Sequence, residues 1–259
     1  MKHESGSYAD VSGLKMYYEL HGDADDPVPL VLLHGGGSTI ETSFGRTIDS
    51  LARTRRVIAF EQQGHGHTAD IAERPFSFSQ SASDTVALLK YLGVDKADLI
   101  GFSNGGHISI QIAIDHPEVV RKLVIISAMF KREGADPQFW ESFKHAKLHN
   151  MPLELRNAYR EVAPNPDGLQ SFFEKSVQRM DTFRDWTADQ LKSIGAPALV
   201  LAGDRDVLSV EHAVEMFRLL PNSQLGILPG TDHMMIMERP DVLVPMINLF
   251  LDALVVSPG

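Results

Sequence analysis

Short apolar runs alternate with helical patterns along most of this chain of 259 residues. Runs such as 29–33 and 198–202 are typical of buried strands, whereas apolar spacing over 79–93 and 104–115 predicts helices. Strands that alternate with helices form a mostly parallel sheet with helices on both faces. We therefore expect an α/β fold, closed by a C-terminal helix over 241–254.

The alternation stops between residues 129 and 190. This stretch is polar, helical in pattern and rich in aromatic residues, and it contains both tryptophans, Trp140 and Trp186. We interpret 129–190 as a helical cap inserted over the carboxyl edge of the sheet, with 1–128 and 191–259 forming the core domain. Ordinary surface helices with a small core of their own remain the alternative interpretation.

The composition excludes several classes of partner. The net charge is −10 and no long basic run occurs, which argues against nucleic acid or an anionic membrane surface as a partner. Without cysteine, the chain has no disulfide, no thiol nucleophile and no thiolate metal site. The polar segment 1–10 lacks the apolar core of a signal peptide, so we expect a cytoplasmic protein. The oligomeric state is left open.

A serine lies between two glycines at the end of the apolar run 97–102. The sequence Gly101-Phe-Ser103-Asn-Gly105 is followed at once by a helical pattern, which predicts strand, tight turn and helix. The strained turn needs small residues two positions before and after Ser103. It would lift the serine hydroxyl over a helix N-terminus, where negative charge is favoured. Ser103 is therefore a candidate nucleophile.

A serine hydroxyl needs a base and a group that orients the base. Asp206, with Asp204 as the competitor, follows the predicted strand 198–202, and His233 follows the predicted strand 224–228. Reactive loops of open α/β sheets lie at the carboxyl ends of the strands. Ser103, Asp206 and His233 can therefore converge although they are far apart in sequence.

Five motifs in this order resemble those of the α/β-hydrolase fold family. They are His34-Gly35-Gly36, Gly64-x-Gly66, Gly101-x-Ser103-x-Gly105, Gly203-x-x-Asp206 and Gly230-x-x-His233. The resemblance covers nearly the whole chain and implies a mostly parallel eight-stranded sheet with helices on both faces and an inserted cap. It also favours Asp206 over Asp204 as the acid of a catalytic triad.

The negative charge that develops on a reacting carbonyl needs two backbone N–H donors, an oxyanion hole. We expect one donor from Asn104, at the start of the predicted helix. By the resemblance, the other is the amide of Gly36, with Gly37 as the alternative. The mechanism implied is acyl transfer through a serine ester, and no cofactor is expected.

The segment His65-Gly66-His67, with Asp70 nearby, is the main rival signal. Two histidines and an aspartate after a strand can begin a metallohydrolase site. The remaining histidines lie mostly within helical patterns and not at strand ends. The family resemblance explains the segment as a loop, so no metal is expected.

Substrate choice is expected to depend on the cap. Its aromatic residues suggest an ester or lactone of a bulky, partly apolar small molecule. The candidate binding residues are Gly35, Met129, Phe130, Trp140, Phe143 and Met234. The runs 60–70 and 121–124 resemble a subfamily of capped esterases that we take to include serine-dependent macrolide esterases.

Other activities stay open at this point. A general carboxylesterase or a small-ring lactonase fits the same residues, and amide or carbon–carbon cleavage uses the same triad. A ligand-sensing receptor with little turnover is the alternative from another functional class.

Overall fold

The computed structural model describes residues 6–22 and 28–254, and these form one eight-stranded sheet with helices around it. Residues 1–5 and 255–259, the predicted ends of the core domain, lie outside the described part. The strands are β1 (Ser7–Val11), β2 (Leu14–His21), β3 (Leu30–Leu33), β4 (Val57–Phe60), β5 (Ala97–Phe102), β6 (Val120–Ile126), β7 (Ala198–Gly203) and β8 (Ser223–Leu228).

Eleven α-helices occur in the described residues. They are α1 (Ile40–Phe44), α2 (Ile48–Leu51), α3 (Phe78–Tyr91), α4 (Asn104–Asp115), α5 (Pro137–Lys144), α6 (Leu153–Val162), α7 (Leu169–Asp181), α8 (Ala188–Lys192), α9 (Val210–Leu219), α10 (Met235–Glu238) and α11 (Pro240–Asp252). Short 3₁₀ turns lie at Pro117–Val119, Arg132–Gly134, Leu148–Asn150 and Pro166–Gly168.

The strand order is β1-β2-β4-β3-β5-β6-β7-β8. The pairs β1–β2 and β2–β4 are antiparallel, and every later pair is parallel. The register sets Leu33 opposite Gly101 and Phe102 opposite Ile126. The carboxyl ends of β3, β5 and β6 are therefore level, and the loops that follow them meet at one edge.

The first strand was not predicted, because Ser7–Val11 lies partly within the polar segment 1–10. Only Ala9 and Val11 of this strand are buried. Ser12 and Gly13 connect it to β2, and both have positive φ, 51° and 79°. That pair of angles matches a two-residue hairpin turn, so the Ser-Gly pair was the missed signal.

Each strand of the sheet sends alternate side chains to opposite faces. Val31 and Leu33 face a core shared with α3, α4 and α9, whereas Leu30 and Leu32 face a second core shared with α1, α2 and α11. Both faces of the parallel strands are therefore covered, as the continuous apolar runs predicted.

The predicted cap 129–190 is mainly helical and contains α5, α6 and α7. Its predicted end at residue 190 falls within α8, whose Leu191 is fully buried in the main core. Four residues of this stretch, Met151, Tyr159, Leu169 and Phe172, form a small apolar cluster with Phe76. No helix among the described residues is long and apolar enough to cross a membrane.

Candidate active site

Ser103 sits at the tip of a tight turn between β5 and α4. Its φ of 53° and ψ of −118° lie in a region that non-glycine residues rarely adopt. A Cβ on Gly105 would lie 1.9 Å from the Leu33 carbonyl oxygen, and one on Gly101 would lie 2.3 Å from the Gly105 carbonyl oxygen. The close approach of β3, β5 and α4 therefore requires both glycines.

His233 links the serine to a carboxylate. Its Nε2 lies 3.0 Å from Ser103 Oγ, and its Nδ1 lies 2.8 Å from Asp206 Oδ1. The carboxylate holds the ring proton on Nδ1, which leaves Nε2 free to accept the hydroxyl proton of Ser103. The structure thus brings together the three side chains that the sequence placed after β5, β7 and β8.

The carboxyl group of Asp206 is fully buried and well hydrogen-bonded. Besides His233, the amide of Val207 donates to Oδ1 at 2.7 Å, and Ser127 Oγ donates to Oδ2 at 2.5 Å. Burial by itself would raise the pKa of Asp206, but the donors from His233, Ser127 and Val207 hold that pKa below its ordinary value. The acid is therefore ionised and firmly oriented.

Ser127 is a site residue that the sequence reasoning missed. It directly follows β6, at the same sheet edge as Ser103, and its φ of 54° is also positive. The signal was available, because reactive loops occupy the carboxyl ends of strands. Ser127 ends the apolar run 123–127, so it was a candidate by position.

The competing acid, Asp204, does not reach the histidine. Its exposed carboxylate accepts the amide of Gly230 at 2.8 Å, across the loops that follow β7 and β8. Asp232, next to His233, likewise accepts the amide of Met234 at 2.8 Å. Both carboxylates shape loops, whereas Asp206 contacts the ring.

The glycine loop after β3 lies against the start of α4. A Cβ on Gly36 would lie 2.2 Å from Nδ2 of Asn104. Within the described part of the chain, neither the amide of Gly36 nor that of Asn104 donates a hydrogen bond. Two unused N–H groups therefore adjoin Ser103, at the first turn of a helix whose positive end favours an anion.

His34 braces this loop. Its Nδ1 donates to the Gly35 carbonyl at 2.8 Å, and its Nε2 accepts the amide of Gln62 at 3.1 Å. Burial lowers the pKa of His34 to about 4, so the ring is neutral and keeps one tautomer at neutral pH. Gln62 closes the link by donating from Nε2 to the His34 carbonyl.

A cavity of about 590 Å³ opens over Ser103 and His233. Its floor includes Gly36, Gly37 and Asn104, and the other walls come mainly from the predicted cap. The cap side chains that line it are mostly apolar: Phe139, Phe143, Met151, Leu155, Phe172, Phe173, Val177 and Met180. The site can therefore receive a partly apolar molecule beside the nucleophile.

Of the six substrate-binding candidates, Phe143 lines this cavity and the other five do not. Gly35 is buried beneath the loop, where a Cβ would lie 3.0 Å from the Phe102 ring. Met129 is buried in the main core, and Met234 lines a separate surface groove. The sequence patterns identified apolar residues, but they did not show which of these residues face the cavity.

Two further aromatic candidates are enclosed by other side chains. Phe130 stacks on His212 with ring centroids 4.6 Å apart. Trp140 stacks on Phe183, and its Nε1 donates to the Arg132 carbonyl at 2.7 Å. Both rings are buried in the main core and do not form the cavity wall.

His65 and His67, the histidines of the alternative metal site, form hydrogen bonds with different residues. Nδ1 of His67 pairs with the buried carboxylate of Glu61 at 2.9 Å. His65 is fully enclosed between rings that include Phe172, and its Nδ1 contacts the Gln63 carbonyl. Among the described residues, no three metal-binding side chains form a cluster. The segment is a loop, as the family resemblance implied.

Comparisons with known proteins agree with this architecture. Relatives include the proline iminopeptidase of Lactobacillus helveticus, 25% identical over 93% of this chain and 95% of the relative, and the human serine hydrolase BPHL, 28% identical over 86% and 78%. The crystal structure of the enol-lactonase from Burkholderia xenovorans LB400 superimposes with a TM-score of 0.78, at 19% identity, over 95% of this chain and all of that one.

The fold class predicted from the sequence is confirmed by this structural likeness. The family model described as "Alpha/beta hydrolase family" matches residues 30–246, which is most of the chain. That match covers the glycine loop after β3, the serine turn, and the loops that carry Asp206 and His233. The chain therefore belongs to the alpha/beta hydrolase family.

Proposed function

We propose that this protein is a serine hydrolase that cleaves a carboxylic ester or lactone through an acyl-enzyme. The observation that carries the proposal is the continuous chain from Ser103 Oγ to His233 Nε2, at 3.0 Å, and from His233 Nδ1 to Asp206, at 2.8 Å. These distances suit proton transfer without rearrangement.

In the first step, Ser103 Oγ attacks the carbonyl carbon and its proton passes to His233 Nε2. The carbonyl oxygen becomes negatively charged and is held by the amides of Gly36 and Asn104. Asp206 stabilises the imidazolium that forms. Collapse of the intermediate breaks the bond to the alcohol oxygen, which takes the proton from His233.

In the second step, water hydrolyses the acyl-enzyme. His233 removes a proton from the water as its oxygen attacks the acyl carbon, and the same two amides hold the new oxyanion. Ser103 Oγ is the leaving group and regains its proton from His233. The acid is released and the resting enzyme is restored.

The cavity supports a small-molecule substrate with an apolar part. Its volume is about 590 Å³, within the range of ordinary ligand sites, and its cap walls carry four phenylalanines. The relatives named an iminopeptidase and an enol-lactonase act on different bonds, so they support the reaction type more than any one substrate. The macrolide lactone stays a prediction from the sequence.

Hydrolysis of p-nitrophenyl butyrate tests the proposal. We expect turnover by the wild type and a loss of at least about 10³-fold in Ser103→Ala. Ser83→Ala is the matched control, because Ser83 is exposed on α3 and lies outside the site. Activity that survives in Ser103→Ala would overturn the mechanism, and a single acylation without turnover would favour the receptor alternative.

The macrolide form of the proposal has its own assay. Macrolides of several ring sizes are incubated with the protein and examined by mass spectrometry for the gain of one water. A gain that disappears in Ser103→Ala would support a macrolide esterase. No gain on any ring would remove this substrate class and leave the general proposal intact.

A further inference from the structure

Arg179 is a buried cation close to the active site. It lies on α7 and is 2% exposed, and its side chain makes one hydrogen bond to the described residues, from Nη1 to Gln62 Oε1 at 3.3 Å. Its Nε and Nη2 atoms find no hydrogen-bond partner among the described residues. Three of the N–H bonds of this guanidinium are thus unused, although buried donors are nearly always paired.

No carboxylate of the described residues forms an ion pair with Arg179. The guanidinium lies instead near the rings of Phe76 and Phe78, at 5.5 and 5.4 Å from their centroids. Burial lowers the pKa of Arg179 to about 10, which still leaves it protonated at neutral pH. Its charge is therefore not neutralised by a side chain of the described protein.

The neighbouring histidines do not add a second positive charge. Burial, and to a smaller extent the nearby charge of Arg179, lower the pKa of His107 to about 3 and that of His34 to about 4. His107 also has both ring nitrogens unpaired. Arg179 therefore lies near neutral histidine rings, and the buried carboxylate of Glu61, which is close enough to affect His34, is hydrogen-bonded to His67 instead.

The unused donors adjoin the floor of the catalytic cavity. A Cβ on Gly36 would lie 3.6 Å from Nη2 of Arg179 and 2.2 Å from Nδ2 of Asn104. The side-chain amide of Asn104 makes no hydrogen bond in the described part of the chain, and both Gly36 and Asn104 line the cavity. Asn104 lines the cavity, whereas Arg179 lies behind Asn104 and Gly36 and does not itself line the cavity.

A buried, unpaired charge is costly, and the cost is removed when an anion binds beside it. The side-chain amide of Asn104 can donate to a carboxylate, and a positive charge behind that amide strengthens the attraction. In the proposed mechanism the leaving alcohol faces His233, whereas Arg179 adjoins the oxyanion loop. An anion at Arg179 would therefore belong to the acyl part of the substrate.

We propose that the substrate carries a carboxylate on its acyl side, and that Asn104 binds this group at the cavity floor with the positive charge of Arg179 directly behind it. The inference rests on the proposed serine hydrolase function and narrows it to esters or lactones of dicarboxylic acids. It points away from macrolides, whose ring ester has no such carboxylate.

A matched pair of esters tests the inference. The mono-p-nitrophenyl ester of glutaric acid and p-nitrophenyl pentanoate have acyl chains of equal length, but only the first ends in a carboxylate. We expect kcat/KM of the wild type to favour the glutarate ester by at least about tenfold. Equal rates, or a preference for the neutral ester, would overturn the proposal.

Variants of Arg179 test whether this residue causes the preference for the glutarate ester. In Arg179→Gln we expect the ratio of the two kcat/KM values to fall by about 10- to 100-fold, and in Arg179→Lys to fall less. Arg160→Gln is the control, because Arg160 is exposed on α6 and its loss changes the net charge equally. A ratio that does not change in Arg179→Gln would contradict the assignment.

Direct binding separates this proposal from the hydrolase function. Glutarate is titrated calorimetrically into Ser103→Ala, which keeps the binding groups but removes the nucleophile. If glutarate binds Ser103→Ala but not the double variant Ser103→Ala/Arg179→Gln, the result supports a carboxylate site even if no ester is turned over. Chloride binding as tightly as glutarate, or no glutarate binding, would overturn it. If Arg179→Gln does not fold, the proposal is tested by the Arg179→Lys variant and by the ratio of the wild-type kcat/KM values for the two esters.

Discussion

Asp204 and Asp206 are aspartates two positions apart in the same loop. Their different surroundings give them different roles. Asp206 is enclosed and receives donors from His233, Ser127 and the Val207 amide, whereas Asp204 is exposed and ties Gly230 to its loop. A carboxylate can orient an imidazole only when it is held itself. The enclosed residue is therefore the one suited to the triad.

The pair provides a test at the residue scale. We expect Asp206→Asn to lower kcat for p-nitrophenyl butyrate by up to about 10⁴-fold, because an amide facing Nδ1 favours the wrong tautomer of His233. Asp204→Asn is the matched control, since its amide oxygen can still accept the Gly230 amide. The assignment is reversed if Asp204→Asn suffers the larger loss.

Ser127 has a smaller expected effect. Ser127→Ala removes the donor to Asp206 Oδ2, so the pKa of Asp206 should rise toward its ordinary value. We expect kcat to fall by about tenfold and the folded-state pKa of Asp206, measured by NMR titration of its carboxyl carbon, to rise. An Asp206 pKa and a kcat that both match the wild type would show that Ser127 does not position the acid.

At the scale of elements, the geometry of the site depends on how closely β3, β5 and α4 approach one another. A methyl group at Gly105 would meet the Leu33 carbonyl at 1.9 Å, so it must push the start of α4 away from β3. That displacement would move the Asn104 amide away from the Gly36 loop. Stability and rate are therefore expected to fall together.

We expect Gly105→Ala to lower the free energy of unfolding by about 3 kcal/mol or more and to lower kcat by at least about tenfold. The matched control is Gly195→Ala, because a Cβ on Gly195 meets nothing within 4 Å. Its free energy of unfolding should change by less than about 1 kcal/mol. Urea unfolding measures both, and equal effects in the two variants would refute the packing argument.

The elements themselves were largely predictable. The helix predicted over 104–115 coincides with α4, because its boundaries carry a glycine turn and a proline, both strong local signals. The strand β1 was missed because only two of its five residues are buried. In the predicted cap, spacing identified helices, but the direction of α7 that places Arg179 beside Asn104 depends on contacts distant in sequence.

At the scale of the whole molecule, the buried Asp206 couples stability to pH. Its folded-state pKa lies below the value of 3.8 expected in the unfolded chain, so its ionised form stabilises the fold above that pH. This contribution is lost as the pH falls below 3.8 and through the folded-state pKa. Acid should therefore weaken the wild type partly through this one group.

Urea unfolding at a series of pH values checks the coupling. Between about pH 5 and pH 2, we expect the free energy of unfolding to fall more steeply for the wild type than for Asp206→Asn, which has no carboxyl to protonate. Parallel curves for the two proteins would mean that the hydrogen bonds to Asp206 do not favour its ionised form in the folded state.

The sequence by itself determined the class of fold and the order of the reactive residues, because strand and helix periods and glycine turns are local properties of the chain. It thereby placed Ser103, Asp206 and His233 at strand ends. Tertiary structure alone decided which apolar side chains line the cavity, that Ser127 donates to Asp206, and that Arg179 is buried without a carboxylate partner. Those facts depend on side chains that meet across the fold, and no local pattern encodes which way they point.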